Sequence, residues 1–531
     1  MHIYLLLAAL VMFVCVLLNK VSSRLGIPTL LAFIVLGMVF GSDGLLKIPF
    51  DNYLFAERIC SIALIFIMFY GGFGTNWRAA KPVALRAALL SGPGVVLTAG
   101  LVGLFCHYVL GIGLLEGLLI GSVISSTDAA SVFSILRSKK LGLKYNTASL
   151  LEVESGSNDP FAYMLTTVIL SIMDAGTADW GKIIYLLFSQ LVYGAGIGVA
   201  IAMTSAYLLK RIRFSSPGFD AVFVTAVAVL SYAAPAAVGG NGYLSAYIVG
   251  IVLGNTEIRN KKTLFPFFDG VTGLMQMLIF FLLGLLSFPS ALPEVALTAL
   301  LIALFLTFVA RPAAVFAILA PFGCKIRQML VVSWAGLRGA ASIVFAIIAY
   351  MDKNTVNDIF HIIFFIVLFS ILFQGSLIPV VSKKLGMIDT EADVMKTFSD
   401  YTDEVPVQFI QVTVSKGHAW CDRQVMDITL PPDTLLVMLE RNKKREVPNG
   451  GTLILEGDVL ILSARSPEKA EDVYLVEQHI NADDAEVGKH LWETSDKEGL
   501  VILIKRGNSV IIPNGSTLIQ AGDTLVYNKP Q

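Results

Sequence analysis

The sequence predicts an all-α polytopic membrane protein that ends in small α+β, β-rich cytoplasmic modules. Three observations carry this reading. Of 531 residues, 55% are hydrophobic and only 15% are charged, too apolar for an ordinary soluble enzyme. Apolar windows of roughly 18 or more residues recur along the first 385 residues, each long enough to cross ~30 Å of hydrocarbon. The charge is also divided. Residues 1–384 hold 25 Lys+Arg and 16 Asp+Glu, and the remainder hold 14 and 24, as expected of two regions facing two solvents.

Hydropathy and helix breakers divide the first region into about thirteen spans. They lie near 3–18, 27–45, 57–75, 82–110, 113–137, 147–174, 182–210, 218–237, 242–256, 264–287, 290–320, 326–351 and 356–384. The first, "IYLLLAALVMFVCVLLN", lacks a basic lead-in and a small-residue cleavage site, so it reads as a retained helix rather than a signal peptide. Connections after odd-numbered spans carry eighteen lysines and arginines, and those after even-numbered spans carry four. By the positive-inside rule the N-terminus lies outside and the tail is cytoplasmic, in a cell (inner or plasma) membrane. The domain boundaries follow: 1–385 in the membrane, 386–400 as linker, and tail modules at 401–478 and 479–531.

Charged residues at membrane depth are costly and face a protein interior or a water-filled cavity. Three stretches contain them. "SSTDAAS" places Thr127 and Asp128 inside the fifth span. "ESGSNDP" places Glu154, Ser155, Asn158 and Asp159 inside the sixth, and "WAGLRGAAS" places Arg338 inside the twelfth. At about 100° per residue, Ser155 and Asp159 share one helical face and Glu154 and Asn158 an adjoining one. The first face offers hard oxygen ligands for a small cation. The second offers a carboxylate that Arg338 can neutralise. Asp128 either binds the cation or caps a broken helix. Arg311, beside Pro312, reads as the partner of a kink. Glu116, Asp220 and Asp269 read as interfacial, and Gly113, Gly117 and Gly121 as a close-packing face.

The fifth and twelfth spans read as interrupted. Ser125 to Asp128 are weak helix formers that compete for backbone hydrogen bonds, and Gly336 and Gly339 bracket Leu337–Arg338. Such breaks are tolerated where freed backbone lines a cavity. Five and twelve are seven apart, an odd offset that inverts orientation, and paired broken helices in inverted repeats point to a midplane transport site.

"SSTDAASVFSIL", "ESGSNDP" and "GLRGAAS", in that order over residues 1–385, resemble the monovalent cation/proton antiporter superfamily, most closely its NhaP-type branch. The resemblance implies a homodimer and an alternating ion and proton site at Asp159. It implies Thr127 and Ser155 as further ligands of the monovalent cation, and Glu154–Arg338 as a structural pair. Asn158 before Asp159 matches the electroneutral exchangers of the family. One departure is that the third span, "IALIFIMFYGGFGTNW", offers no acidic ligand.

In the tail, "LVMLERNKKREVPNGGTLILEGDVLIL" recurs as "LVILIKRGNSVIIPNGSTLIQAGDTLVY". Arg441, Pro448, Asn449, Gly450, Thr452, Gly457 and Asp458 return 65 residues later as Arg506, Pro513, Asn514, Gly515, Thr517, Gly522 and Asp523. The repeated Pro-Asn-Gly and Gly-Asp elements read first as turns. These modules are similar to the TrkA-C (RCK-C) regulatory type, which among NhaP relatives implies potassium/proton exchange and a small cytoplasmic ligand. No dinucleotide-binding glycine motif accompanies them.

The expectation is therefore a regulated secondary antiporter exchanging K+, or Na+, for protons, embedded in lipid. A ligand-gated potassium channel is the rival, and a membrane ion sensor a weaker third. The acidic tail argues against nucleic acid. No nucleophile–base set or phosphate-binding loop points to an enzyme, and no cofactor is implied. The five cysteines show no disulfide or metal spacing.

Overall fold

A computed structural model describes residues 9–18, 29–138, 141–176, 179–212, 218–258, 261–352, 355–389, 407–431, 434–441, 444–465, 475–482, 484, 486–494, 500–507, 509–511 and 513–528. The chain divides into two compact units, Met1–Met395 and Lys396–Gln531. The expected outer N-terminus (residues 1–8) and residues 390–400 of the expected linker lie outside the described residues.

The first unit is helical. In order come α1 (Ala9–Leu18), α2 (Thr29–Phe40), α3 (Tyr53–Gly74), α4 (Trp77–Tyr108) and α5 (Leu114–Ser125). Next are α6 (Ala129–Ser138), α7 (Thr147–Ala175), α8 (Trp180–Arg211), α9 (Phe219–Ala236) and α10 (Gly242–Asn255). The series ends with α11 (Lys261–Leu286), α12 (Pro289–Phe322), α13 (Ile326–Trp334), α14 (Ala340–Tyr350) and α15 (Ile359–Lys384). Among the described residues seven helices are long and apolar enough to cross a membrane, with five shorter apolar helices beside them. Short polar side chains start many of them by accepting an otherwise orphaned backbone N–H. Asn52 accepts from Phe55 at 2.9 Å, Asp179 from Gly181 at 3.0 Å, Asn241 from Leu244 at 3.0 Å and Asp358 from His361 at 3.1 Å.

Small residues let helices touch backbone to backbone, which is how helices associate where lipid removes the hydrophobic drive. A Cβ on Gly72 of α3 would come within 2.2 Å of the Tyr247 carbonyl of α10, and one on Gly37 of α2 within 2.2 Å of the Phe281 carbonyl of α11. Of the glycine face expected on α5, Gly117 and Gly121 lie against Gly103 and Ala99 of α4, whereas Gly113 is the N-cap. Two helices carry π turns, at Leu306–Ala310 in α12 and Ser370–Gly375 in α15. Such turns re-aim side chains and frequently mark functional sites.

The expected linker does not begin at residue 386. Ile388–Asp389 form a strand, β2, paired antiparallel with β1 (Gly142–Leu143), and Lys144 N–H donates to the Met387 carbonyl at 3.0 Å. This staple is made of backbone hydrogen bonds, which residue types do not announce.

Among the described residues the second unit holds two four-stranded antiparallel sheets. The first contains β3 (Val407–Thr413), β4 (Thr434–Arg441), β5 (Lys444–Glu446) and β6 (Val459–Arg465) in the order β3-β6-β4-β5. The second contains β7 (Leu475–His479), β8 (Leu500–Arg506), β9 (Ser509–Ile511) and β10 (Thr524–Asn528) in the equivalent order β7-β10-β8-β9. Small cores centre on Leu436, Leu439, Ile454, Leu460 and Leu462 in one and on Ile480, Ile504, Ile519 and Leu525 in the other.

The tail repeat is explained by more than turns. Arg441 Nε and Nη2 donate to both carboxylate oxygens of buried Asp458 at 2.8 and 2.6 Å, and Arg506 does the same to Asp523 at 2.8 and 2.7 Å. Each arginine also reaches a carbonyl, Leu453 or Leu518, at 2.7 Å. Asn449 and Asn514 N–H donate to Thr452 and Thr517 Oγ1 at 2.9 Å. Gly457 and Gly522 both sit at φ +87°, where L side chains are strained.

Candidate functional site: the crossing of two broken helices

The chain is unwound between α5 and α6 at residues 126–128 and between α13 and α14 at 335–339. The two breaks meet: Asp128 N–H donates to the Leu337 carbonyl at 2.8 Å. A Cβ on Gly339 would lie 2.4 Å from Asp128 Cβ, so only glycine permits this approach. Gly336 sits under the Arg311 side chain, its added Cβ 3.0 Å from Nε. The freed backbone is thus satisfied by the opposite break and by buried side chains, as the apolar surroundings require.

Unbroken α7 passes this crossing and presents Glu154, Ser155, Asn158 and Asp159, all buried. Asp159, 6% exposed, accepts a hydrogen bond on Oδ1 from the Ser126 hydroxyl. Ser155 Oγ donates to the Thr127 carbonyl at 2.6 Å. Asn158 binds Thr127 twice: its Nδ2 donates to Oγ1 at 2.6 Å, and its Oδ1 accepts from the backbone N–H at 3.3 Å. Asp159, Ser155, Asn158 and Thr127 therefore converge on one unwound segment. Carboxylate, hydroxyl and carbonyl oxygens gathered there are the donor set of a hard cation. Ser126 belongs to this set and was not singled out in the sequence. A hydroxyl within the weak helix formers preceding Asp128 was the available signal.

Two sequence expectations need correction. Glu154 does not pair with Arg338. Its Oε1 meets Arg311 Nη2 at 2.5 Å, both side chains being at most 4% exposed. The π turn immediately before Arg311 brings that residue to α7, which linear spacing around Pro312 did not reveal. Arg338 instead donates from Nη1 to the Ser126 carbonyl at 2.7 Å, and its N–H donates to Ser370 Oγ at 3.1 Å. It holds the first break from behind. Ser370 in turn donates to Gln374 Oε1 at 2.8 Å, so the second π turn supports the same crossing. Asp128 takes the capping role. Its carboxylate accepts from Ser131 N–H at 3.2 Å and from the Ser131 hydroxyl, the pattern of a helix N-cap for α6.

Glu116 and Asp269 also hold specific partners. Glu116, buried, accepts from Val356 and Asn357 N–H at 3.1 and 2.7 Å, and Asp269 accepts from Tyr70 at 2.9 Å. A cavity of about 390 Å³ reaches the crossing at Ser131, Leu337 and Ile371, its far wall formed by Val16, Thr29 and Met277.

The transmembrane family described as sodium/hydrogen exchanger matches residues 9–384. The chain belongs to the sodium/hydrogen exchanger family. It is a multi-pass membrane transporter, not an enzyme, and residues 409–471 match the TrkA-C domain. It is 36% identical over 416 residues to the K(+)/H(+) antiporter NhaP of Alkalimonas amylolytica, covering 77% of this chain and 72% of that one. It is 32% identical over 465 residues to the K(+)/H(+) antiporter NhaP2 of Shewanella sp. (strain MR-4), covering 86% and 80%. The sodium proton antiporter MjNhaP1 of Methanocaldococcus jannaschii shares the fold, with a TM-score of 0.64 at 23% identity over 72% of this chain and 99% of that one. The TrkA-C match spans the first tail sheet. The second repeats its strand order and its Arg–Asp pair.

Proposed function

We propose that the chain exchanges a monovalent cation, K+ in preference to Na+, for protons at Asp159, without net charge movement. The observation that carries this is the contrast among the three buried or half-buried carboxylates of the crossing. Glu154 is neutralised by Arg311, Asp128 caps α6, and Asp159 meets a hydroxyl and no ion-pair partner among the described residues. One titrating carboxylate that holds either a proton or a monovalent cation yields one-for-one exchange. Ser155, Ser126 and Thr127 supply further oxygens, and Asn158 adds no charge where a second carboxylate would have made the cycle electrogenic. The potassium preference rests on the names of the two relatives above.

Thirteen crossings with inverted repeats fit this reading. An offset of seven spans exchanges the α2–α11 contact at Gly37 and Gly284 with the α10–α3 contact at Gly250 and Gly72. The basic connections favour an outer N-terminus and a cytoplasmic tail. A homodimer, and a small cytoplasmic ligand on the tail modules, belong to the same proposal. A ligand shifts transport only through its differential affinity for two states of the protein.

The test is proton movement in vesicles reconstituted with full-length protein, driven by K+ and Na+ in turn. Asp159→Asn is expected to abolish both while the protein inserts and melts as the parent does. Exchange retained in that variant refutes the site. Transport current persisting across pH refutes electroneutrality, and an unchanged activity profile after removal of residues 401–531 refutes regulation by the tail.

A further inference from the structure

The crossing has two sides, and a cavity opens on one of them. That cavity is lined by Val16 at the end of α1 and by Thr29 and Leu30 at the start of α2. The chain then travels along α2 and turns back as α3, so the first turns of α3 lie at the opposite end of the unit. On that opposite side the site is covered by rings. Tyr163 stands one turn beyond Asp159 on α7, roughly 6 Å along the axis. Its ring meets Tyr243 of α10 edge-on, centroids 5.1 Å apart at 83°. Tyr243 meets Tyr232 of α9 at 4.9 Å. Phe345 of α14 closes the group at 5.7 Å from Tyr163 and 6.3 Å from Tyr243. Tyr243 is 1% exposed and Phe345 is fully buried.

Beyond the rings the surroundings turn polar again. Ser61 of α3 donates to half-buried Glu57 at 2.8 Å, and Glu57 is near enough for its charge to act on Tyr163 and Tyr232. The aromatic group thus separates two polar places, Asp159 on one side and Glu57–Ser61 on the other. Its rings come from four helices, so small relative movements of those helices part them. Aromatic pairs such as these, one edge-on and three tilted, suit this task. Each is worth no more than about tenfold in an equilibrium constant, enough to favour closure and little enough to open within a transport cycle. An ion crossing the closed group would have to shed its water in an apolar constriction.

We propose that Tyr163, Tyr243 and Phe345 form the gate that closes the ion site on the side opposite the cavity. The proposal rests on exchange at Asp159, and it adds the residues that keep the two sides from being open together. Without the rings the site is open to both, and protons run down their gradient with no cation exchanged.

The experiment measures decay of an imposed pH gradient in vesicles containing the full chain, with no opposing cation gradient. Tyr243→Ala is expected to raise this leak at least about tenfold, because it removes three ring contacts, each worth up to about tenfold, while Tyr243→Phe keeps the parent rate. Tyr163→Leu, on a different helix, raises it in the same direction and serves where Tyr243→Ala does not reach the membrane. Leak unchanged in the Tyr243→Ala and Tyr163→Leu variants overturns the gate, as does an equal rise in Tyr243→Phe. Asp159→Asn, assayed alongside for exchange, reports separately on the site: exchange surviving there refutes the site reading whatever the leak shows.

Discussion

Buried carboxylates are handled differently in the two units of this protein. In the tail, Asp458 and Asp523 are each gripped by two nitrogens of one arginine, and a backbone N–H completes the shell, from Leu455 at 2.8 Å or Gln520 at 2.9 Å. In the membrane unit Glu154 is neutralised through a single contact with Arg311 Nη2, whereas Asp159, five residues along, meets the Ser126 hydroxyl and no ion-pair partner among the described residues. A buried charge without a partner is expensive. On the proposed exchange, the carboxylate left to a hydroxyl is the one able to change its occupant. On that reading the difference separates scaffold from machinery.

That comparison can be broken most directly by exchanging roles. Asp159→Asn should remove all exchange and leave stability within about 1 kcal/mol of the parent. Glu154→Gln should cost about 3–5 kcal/mol by stranding Arg311 in the interior, read as a fall in melting temperature in detergent. Adding Arg311→Met should recover part of that loss, and more of it than Arg338→Met does, since Arg311 makes the ion pair with Glu154 and Arg338 does not. Additivity with Arg311 would show that the two never meet.

A smaller effect, about 3 kcal/mol, is expected for Asp523→Asn, because Arg506 is partly solvated and suffers less when abandoned. Hydrogen exchange at β8 and β10 amides in the full-length protein should rise, with proton movement per molecule unchanged. Loss of transport would mean that the module participates in the cycle itself. Gly339→Ala should cost about 1–3 kcal/mol by overpacking. Its Cβ meets Asp128, so exchange should fall with it. Retained exchange would show that the crossing yields more than its geometry suggests.

The smallest effect lies in pH. The hydrogen bond from Arg506, aided by the Gln520 N–H, holds the Asp523 carboxyl below its ordinary value. Burial opposes this at Asp458, but Arg441 and the Leu455 N–H outweigh it and hold that carboxyl low as well. Folded values below the unfolded carboxylate value of about 3.9 mean stability fully present above that pH and lost as pH falls through the lower folded value. Exchange protection of the tail sheets should be flat from neutral to about pH 5 and decline only below about pH 4. Removing both aspartates should flatten that acid limb. An unchanged limb would assign acid sensitivity to other groups.

Much of the site was legible in the residues. The spacing of Ser155 and Asp159 put both on one helical face, and the weak helix formers before Asp128 marked the first break. Arg311 was misread because a π turn shifts it relative to ideal helical spacing, and such turns carry no compositional mark. Arg338 was assigned to Glu154 because two arginines lie at similar depth, and sequence order does not choose which of them meets that carboxylate.

By itself the sequence determined the membrane unit, the order of its breaks, the duplicated tail and the identity of the residues at the crossing. These follow from local properties: hydropathy, helix propensity, periodicity and repetition. The tertiary structure alone decided which charges meet, which carboxylate caps and which meets a hydroxyl, and that the chain remains stapled to the membrane unit through Ile388–Asp389. Those outcomes depend on which backbones approach closely, at Gly339 above all. Close approach is a property of packed helices in three dimensions, and no single segment encodes it.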